Sequence, residues 1–275
     1  MTFSIVARSA DGQSWGVAVA SKFLGVGSAV PAAEAGVGAI ATQAAANVGY
    51  KRAGLAQLAA GSTAAEVLQQ LLAADGGREE RQLGIVDAAG TAASFTGSAC
   101  LEWAGSITGD GYAIQGNILT GTEVVAAMES AWNDSAPDAP LAHRLLAALA
   151  AGDTAGGDAR GRQSAALLVV KDAAGYGGFD DIAVDLRVDD DPSPLTELAR
   201  LLDLNDFYLT ASTAAERVQV TPELQLELDR GAVALGSRDF LAWVGTENYE
   251  MRVADDASWI DARVLAILRE RTRAA

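Results

Sequence analysis

The chain opens on short apolar runs with polar punctuation, the pattern of β-strands. Phe3 to Arg8 is apolar and partly β-branched, and Trp15 to Ser21 is a second such run. Between them, Ala10-Asp11-Gly12-Gln13 contains Asp-Gly, whose tolerance of positive φ makes it a strong hairpin signal. Further short strands are predicted at 29–31 and 37–42, split by Gly36 and Gly38. The period then lengthens. A helix is predicted over 54–60, and a clearer one after a cap at Ser62, with Glu66 in its first turn and Val67, Leu68, Leu71 and Leu72 on one face. Gly76-Gly77 ends it. Strands return at 82–87, 91–96 and 112–117, and helices follow at 123–132 and, behind Pro140, at 141–151. Strands at 164–171 and 182–188 precede a helix over 195–209.

Strands therefore come in hairpin pairs, in blocks that alternate with helices. That segregation predicts antiparallel sheets covered by helices, an α+β fold drawn as a four-layer α-β-β-α sandwich. A doubly wound parallel sheet fits less well, because parallel strands cannot be joined by tight hairpins. The texture changes near Thr210-Ala211-Ser212-Thr213. Residues 1–212 are read as the main domain and 213–275 as a small, mainly helical C-terminal appendage. Its helices are predicted at 223–235, 239–244 and 259–271, the last capped by Asp256 or Ser258.

Half of the 275 residues are hydrophobic, enough for a sizeable core. The net charge of −16 argues against nucleic acid and anionic membrane as partners, since both are bound through basic patches. A single Cys excludes an intrachain disulfide and a cysteine-rich zinc site. No signal peptide is visible, and no uninterrupted apolar run reaches the ~18 residues of a membrane span. A cytoplasmic protein without metal or cofactor is expected.

Catalytic candidates are few, with one His and one Cys in the chain. Thr2 follows Met1 directly, so removal of Met1 would place a hydroxyl and a free α-amine on one residue, a nucleophile with its own base. An α-amine titrates at roughly 7.7–8, close to the ideal for a general base at neutral pH. Lys22 closes the second strand, and the hairpin would bring it and Ser21 toward the Thr2 end, where an ammonium would lower the pKa of the Thr2 groups. Gln43 and Asn47, in a run of small residues, and Gln115-Gly116-Asn117 at a strand end offer amides for an oxyanion or a substrate amide. Asp158, Arg160, Gln163 and Ser164 lie in a glycine-rich loop before an apolar strand, where Arg160 could hold a carboxylate in a bidentate fork. Each also has a plain reading as a strand end, cap or surface loop. His143 on an amphipathic helix and Cys100 among small residues read as structural. Gly25-Val26-Gly27 lacks the third glycine of a dinucleotide site, and Asp189-Asp190-Asp191 reads as the acidic lead into a helix.

Met1 to Ala7, Gly16 to Lys22, Gln115-Gly116-Asn117 and Gly157 to Leu168 together resemble an uncharacterised bacterial and archaeal family of unknown function, placed in the N-terminal-nucleophile (Ntn) hydrolase superfamily. The resemblance runs from Thr2 to about Leu209. The segment from about Glu223 to Ala275 resembles a small C-terminal extension of some members that carries a peptidoglycan-binding label. The resemblance implies the α-β-β-α sandwich, Thr2 as nucleophile by analogy with proteasome-like hydrolases, and an assisting lysine on a neighbouring strand, for which Lys22 is the nearest candidate. Fold does not fix function.

The reading taken forward is an amide hydrolase acting on a small or peptide-like substrate, with Thr2, Lys22 and Asn117 catalytic. Ser21, Gln43, Asn47, Gln115, Asp158, Arg160, Gln163 and Ser164 would bind substrate. The alternative is a binding module that keeps the scaffold without the chemistry and takes a cell-wall fragment or a protein partner. A homo-oligomer is expected, although no periodic apolar face marks its interface.

Overall fold

The computed structural model describes residues 2–274. The predicted hairpin forms from β1 (Thr2–Arg8) and β2 (Ser14–Ser21), turning through Gly12 at a φ of 72°. After α1 (Val26–Ala29) come β3 (Pro31–Glu34), β4 (Gly38–Ala44), α2 (Gly49–Ala59), α3 (Ala64–Ala73), β5 (Arg81–Asp87) and β6 (Ala92–Thr96). A further hairpin, β7 (Gly105–Gly109) and β8 (Tyr112–Asn117), leads into α4 (Glu123–Asp134) and α5 (Leu141–Thr154). Then follow β9 (Ser164–Lys171), β10 (Ile182–Val188) and α6 (Pro194–Leu209). The chain closes with β11 (Arg217–Gln219), α7 (Pro222–Ala234), α8 (Phe240–Thr246), β12 (Trp259–Asp261) and α9 (Ala262–Ala274).

The fold is mixed α+β with antiparallel sheets. One sheet runs β10-β9-β2-β1-β8-β7, a second runs β3-β4-β5-β6, and β11 pairs with β12. Side-chain alternation along the strands sorts the cores. Phe3, Ile5 and Ala7 of β1 pack with Met128 of α4 and with Leu145 and Leu149 of α5. Val6, from the opposite face of β1, joins Val17 and Val19 of β2 and Ala39, Ala41 and Val86 of the second sheet in a core shared by both sheets. Ile40, Leu83 and Ile85, on the other face of the second sheet, pack with Leu58 of α2 and with Val67 and Leu71 of α3.

Several local expectations shift. The cap of α3 is Thr63, one residue later than expected, because Thr63 and Glu66 close a reciprocal capping box. The helix expected from 259 begins at Ala262, since Trp259–Asp261 pairs as a strand with Arg217–Gln219. Residue 29 belongs to α1 and the strand starts at Pro31, while α2 begins earlier than expected, at Gly49. The short β7, bracketed by glycines, has too little apolar content to stand out in the sequence.

Contacts divide the chain into a unit ending at Leu202 and a unit starting at Asp203, inside α6 and not after it. Leu195, Leu198 and Leu202 belong to the core of the first unit. Phe207 belongs to that of the second, with Leu228, Phe240, Trp243, Ile260 and Leu268. The change of texture near residue 210 marks the end of a helix, whereas the two cores already separate a turn or more before it. No helix among the described residues is long and apolar enough to cross a membrane.

Candidate active site

Register places four polar residues in one row at the end of the six-stranded sheet. Ser21 of β2 lies opposite Ser164 of β9, and Thr2 of β1 opposite Asn117 of β8. The pairing of Phe3 with Ala20 carries the row across the hairpin, and the Thr2 and Ser21 hydroxyls stand 3.1 Å apart. The row Ser164–Ser21–Thr2–Asn117 is therefore continuous. All four residues are buried, Thr2 at 6% exposure.

The space between the two sheets is apolar at one end and polar at this one. Gln115 Nε2 donates to Ser4 Oγ at 2.6 Å, and Ser4 Oγ donates to Gln43 Oε1 at 2.6 Å. Gln43 Nε2 reaches Gln82 Oε1 at 2.8 Å and the Thr2 carbonyl at 3.2 Å. Asn117 Nδ2 donates to the same Gln82 oxygen at 2.9 Å. Gln82 Nε2 in turn donates to the Gly116 carbonyl at 2.7 Å and to Thr96 Oγ1 at 2.9 Å. Buried amides persist only when paired, so this network ties β1 and β8 to β4 and β5 and holds the start of β1 in place.

A second group lies at the loop after α5. Asp158, buried, accepts from the Lys22 backbone N–H at 2.7 Å and from the Arg160 N–H at 2.9 Å, and pairs with the Arg160 guanidinium at 3.3 Å. Gly156 and Gly157 take positive φ, which lets the loop turn back so that Asp158 bridges to Leu119. Ser164 Oγ accepts from the Val26 N–H at 3.1 Å. Gln163 is turned outward and donates to Asp190 at 3.0 Å.

The structure brings Thr2, Ser21, Gln43, Gln115, Asn117 and Ser164 together, with Asp158 and Arg160 tied to the chain just beyond Ser21. The Lys22 side chain is exposed and its ammonium donates to the Arg162 carbonyl at 3.3 Å, so the group facing Thr2 across the hairpin is the Ser21 hydroxyl. Asn47 stands in another cluster, where its amide and the Tyr50 hydroxyl both donate to Asp75, at 3.2 and 2.7 Å. The fate of Met1, and with it the freedom of the Thr2 amine, lies outside the described residues. Ser4 and Gln82 join the site from outside the sequence candidates. Both are polar residues at strand positions whose neighbours in the alternation face the core, and that mismatch is the signal in the sequence.

The profile of DUF1028, a family of unknown function, matches residues 2–198. The chain belongs to DUF1028. Among solved structures it is similar to the crystal structure of protein SPO2555 from Silicibacter pomeroyi, itself described as DUF1028. The identity is 33% and the TM-score 0.67, over 74% of this chain and 89% of that one. No curated protein matches the chain. The DUF1028 span holds the whole polar row, the amide network and the Asp158 loop, and it ends before the C-terminal unit begins.

Proposed function

We propose that this DUF1028 protein is an Ntn-type amide hydrolase for a small or peptide-like substrate, with Thr2 as nucleophile once Met1 has been removed. The observation that carries the reading is the placement of Thr2. It sits at the start of a central strand, its hydroxyl 3.1 Å from that of Ser21, at the polar end of the space between two sheets. The layering supports it: α4 and α5, the six-stranded sheet, the four-stranded sheet, then α2 and α3, the order of an α-β-β-α sandwich.

In the proposed reaction the Thr2 amine takes the hydroxyl proton, and Oγ1 forms a bond to the amide carbon. Ser21 hydrogen-bonds to Oγ1 and orients it. The amide of Asn117, directly across from Thr2, stabilises the oxyanion. Collapse of the intermediate breaks the C–N bond, and the protonated Thr2 amine gives its proton to the leaving nitrogen. Water then hydrolyses the ester and restores the hydroxyl. Arg160, held by Asp158, positions an acidic end of the substrate. Lys22 contributes through its backbone N–H, which fixes the Asp158 loop, and not through its ammonium.

One observation favours the alternative of a binding module: the buried amides are largely committed to one another and Thr2 is nearly closed off. The deciding experiment combines two measurements. Intact mass of the protein from its own host is expected to show loss of Met1, and an electrophilic acyl trap is expected to label the wild type and not Thr2→Ala. Full retention of Met1, or equal labelling of both proteins, overturns the catalytic reading.

A further inference from the structure

β10 is an edge strand: among the described residues its sheet neighbour is β9 alone, and alternate backbone N–H and C=O groups along its outer side have no strand there to pair with. Its sequence around Leu186 reads Val184-Asp185-Leu186-Arg187-Val188. Inverted about Leu186, the pattern returns with opposite charges in each other's places. Val184 and Val188 are buried and Leu186 half-buried against the helix-side core, while Asp185 and Arg187 are exposed on the other face and pair with each other at 2.9 and 3.0 Å.

We propose that β10 is the seam of a two-fold symmetric homodimer, in which two copies of the strand pair antiparallel with Leu186 at the axis. Symmetry then sets Leu186 against Leu186, Val184 against Val188, and Asp185 of each copy against Arg187 of the other. Each copy extends the sheet of the other, and the apolar face runs on across the seam. Edge charges commonly block sheet extension, but in this order they make the strand complementary to itself. The chain's most exposed aromatics lead into the same edge. Tyr176 is 87% and Phe179 94% exposed, and Ile182 begins the strand at 46%. Covering them would add apolar area to a contact that seven-residue strands alone would leave small.

The test is charge swapping, read by sedimentation equilibrium of the full chain at tens of micromolar. The wild type is expected at twice 28.2 kDa. Asp185→Arg and Arg187→Asp each place like charges together at two symmetric positions, and each is expected to weaken the dimer about tenfold or more. The double variant Asp185→Arg/Arg187→Asp is expected to regain it. An equimolar mixture of the two single variants is also expected to dimerise, because each supplies the charges the other lacks. Circular dichroism melts confirm that each variant is folded. The double variant stands in for a single variant that is not. A wild type that sediments at 28.2 kDa, folded single variants that keep the dimer mass, or a folded double variant and mixture that both stay monomeric would each overturn the proposal.

Discussion

One step of register decides which side chain meets Thr2. Ser21 and Lys22 are neighbours at the end of β2, and a strand turns successive side chains to opposite faces. Pairing of Phe3 with Ala20 puts Ser21 across from Thr2 and leaves the Lys22 ammonium outside, so the scarce lysine was the more conspicuous residue and the serine the better placed one. Gly84 shows how tightly this end is packed. A Cβ there would come within 2.1 Å of Gln115 Oε1, a buried atom of the amide network with no hydrogen-bond partner among the described residues. Gly84→Ala is therefore expected to push Gln115 off Ser4 and to destabilise the fold by about 1–3 kcal/mol. Urea denaturation checks it. An unchanged midpoint would mean that Gln115 has room to move, and slower acyl-trap labelling would tie its position to that of Thr2.

Among the elements, the strands and helices were legible where the alternation is strong, and their ends were not. The loop between β4 and α2 is held by a clamp that joins several elements. Asp75, after α3, accepts from Asn47 and Tyr50 at the start of α2, from Arg81 of β5 at 2.9 Å, and from the Gly77 N–H. The Arg81 guanidinium, with the Tyr50 hydroxyl and the Gly77 N–H, holds the Asp75 carboxyl well below the usual carboxylate range. Burial, with Asp75 beside it, pushes Tyr50 up to about 12. The signs of the two effects are opposite. Stability from Asp75 is present above its unfolded pKa of about 3.9 and is lost as pH falls through its lower folded value. Stability from Tyr50 is present below about 10 and is lost as pH rises through its folded value. Melting temperature against pH is expected to fall at both extremes. Asp75→Asn should flatten the acid arm and Tyr50→Phe the alkaline arm, and an arm that keeps its slope would exclude that residue as its cause. Asn47 was an amide of the right type in a suggestive run, but its partners come from α2 and from beyond α3, and nothing in the local sequence names them.

At the scale of the whole molecule, the C-terminal unit has its own core and its own buried cation. Arg252, 7% exposed, donates to the Phe207 carbonyl at 2.6 Å and pairs with the buried Asp261 at 3.1 Å. Arg252→Ala would strand that carboxylate and is expected to cost the unit about 3–5 kcal/mol. Calorimetry should then show an earlier transition for this unit while acyl-trap labelling of Thr2 is unchanged, and a loss of labelling would show that the units do not act separately. The succession of strand and helix blocks, the first hairpin, and the apolar face of each strand are all legible in the order of residues. These follow from periodicity and turn chemistry, which operate over a few residues. That Thr2, Ser21, Asn117 and Ser164 stand in one row, that Ser4 and Gln82 complete the polar end, and that the cores separate within α6 emerge in the folded molecule and not before. Each of these depends on register and hydrogen bonds between residues far apart in the chain, where one residue of slip would present a different side chain.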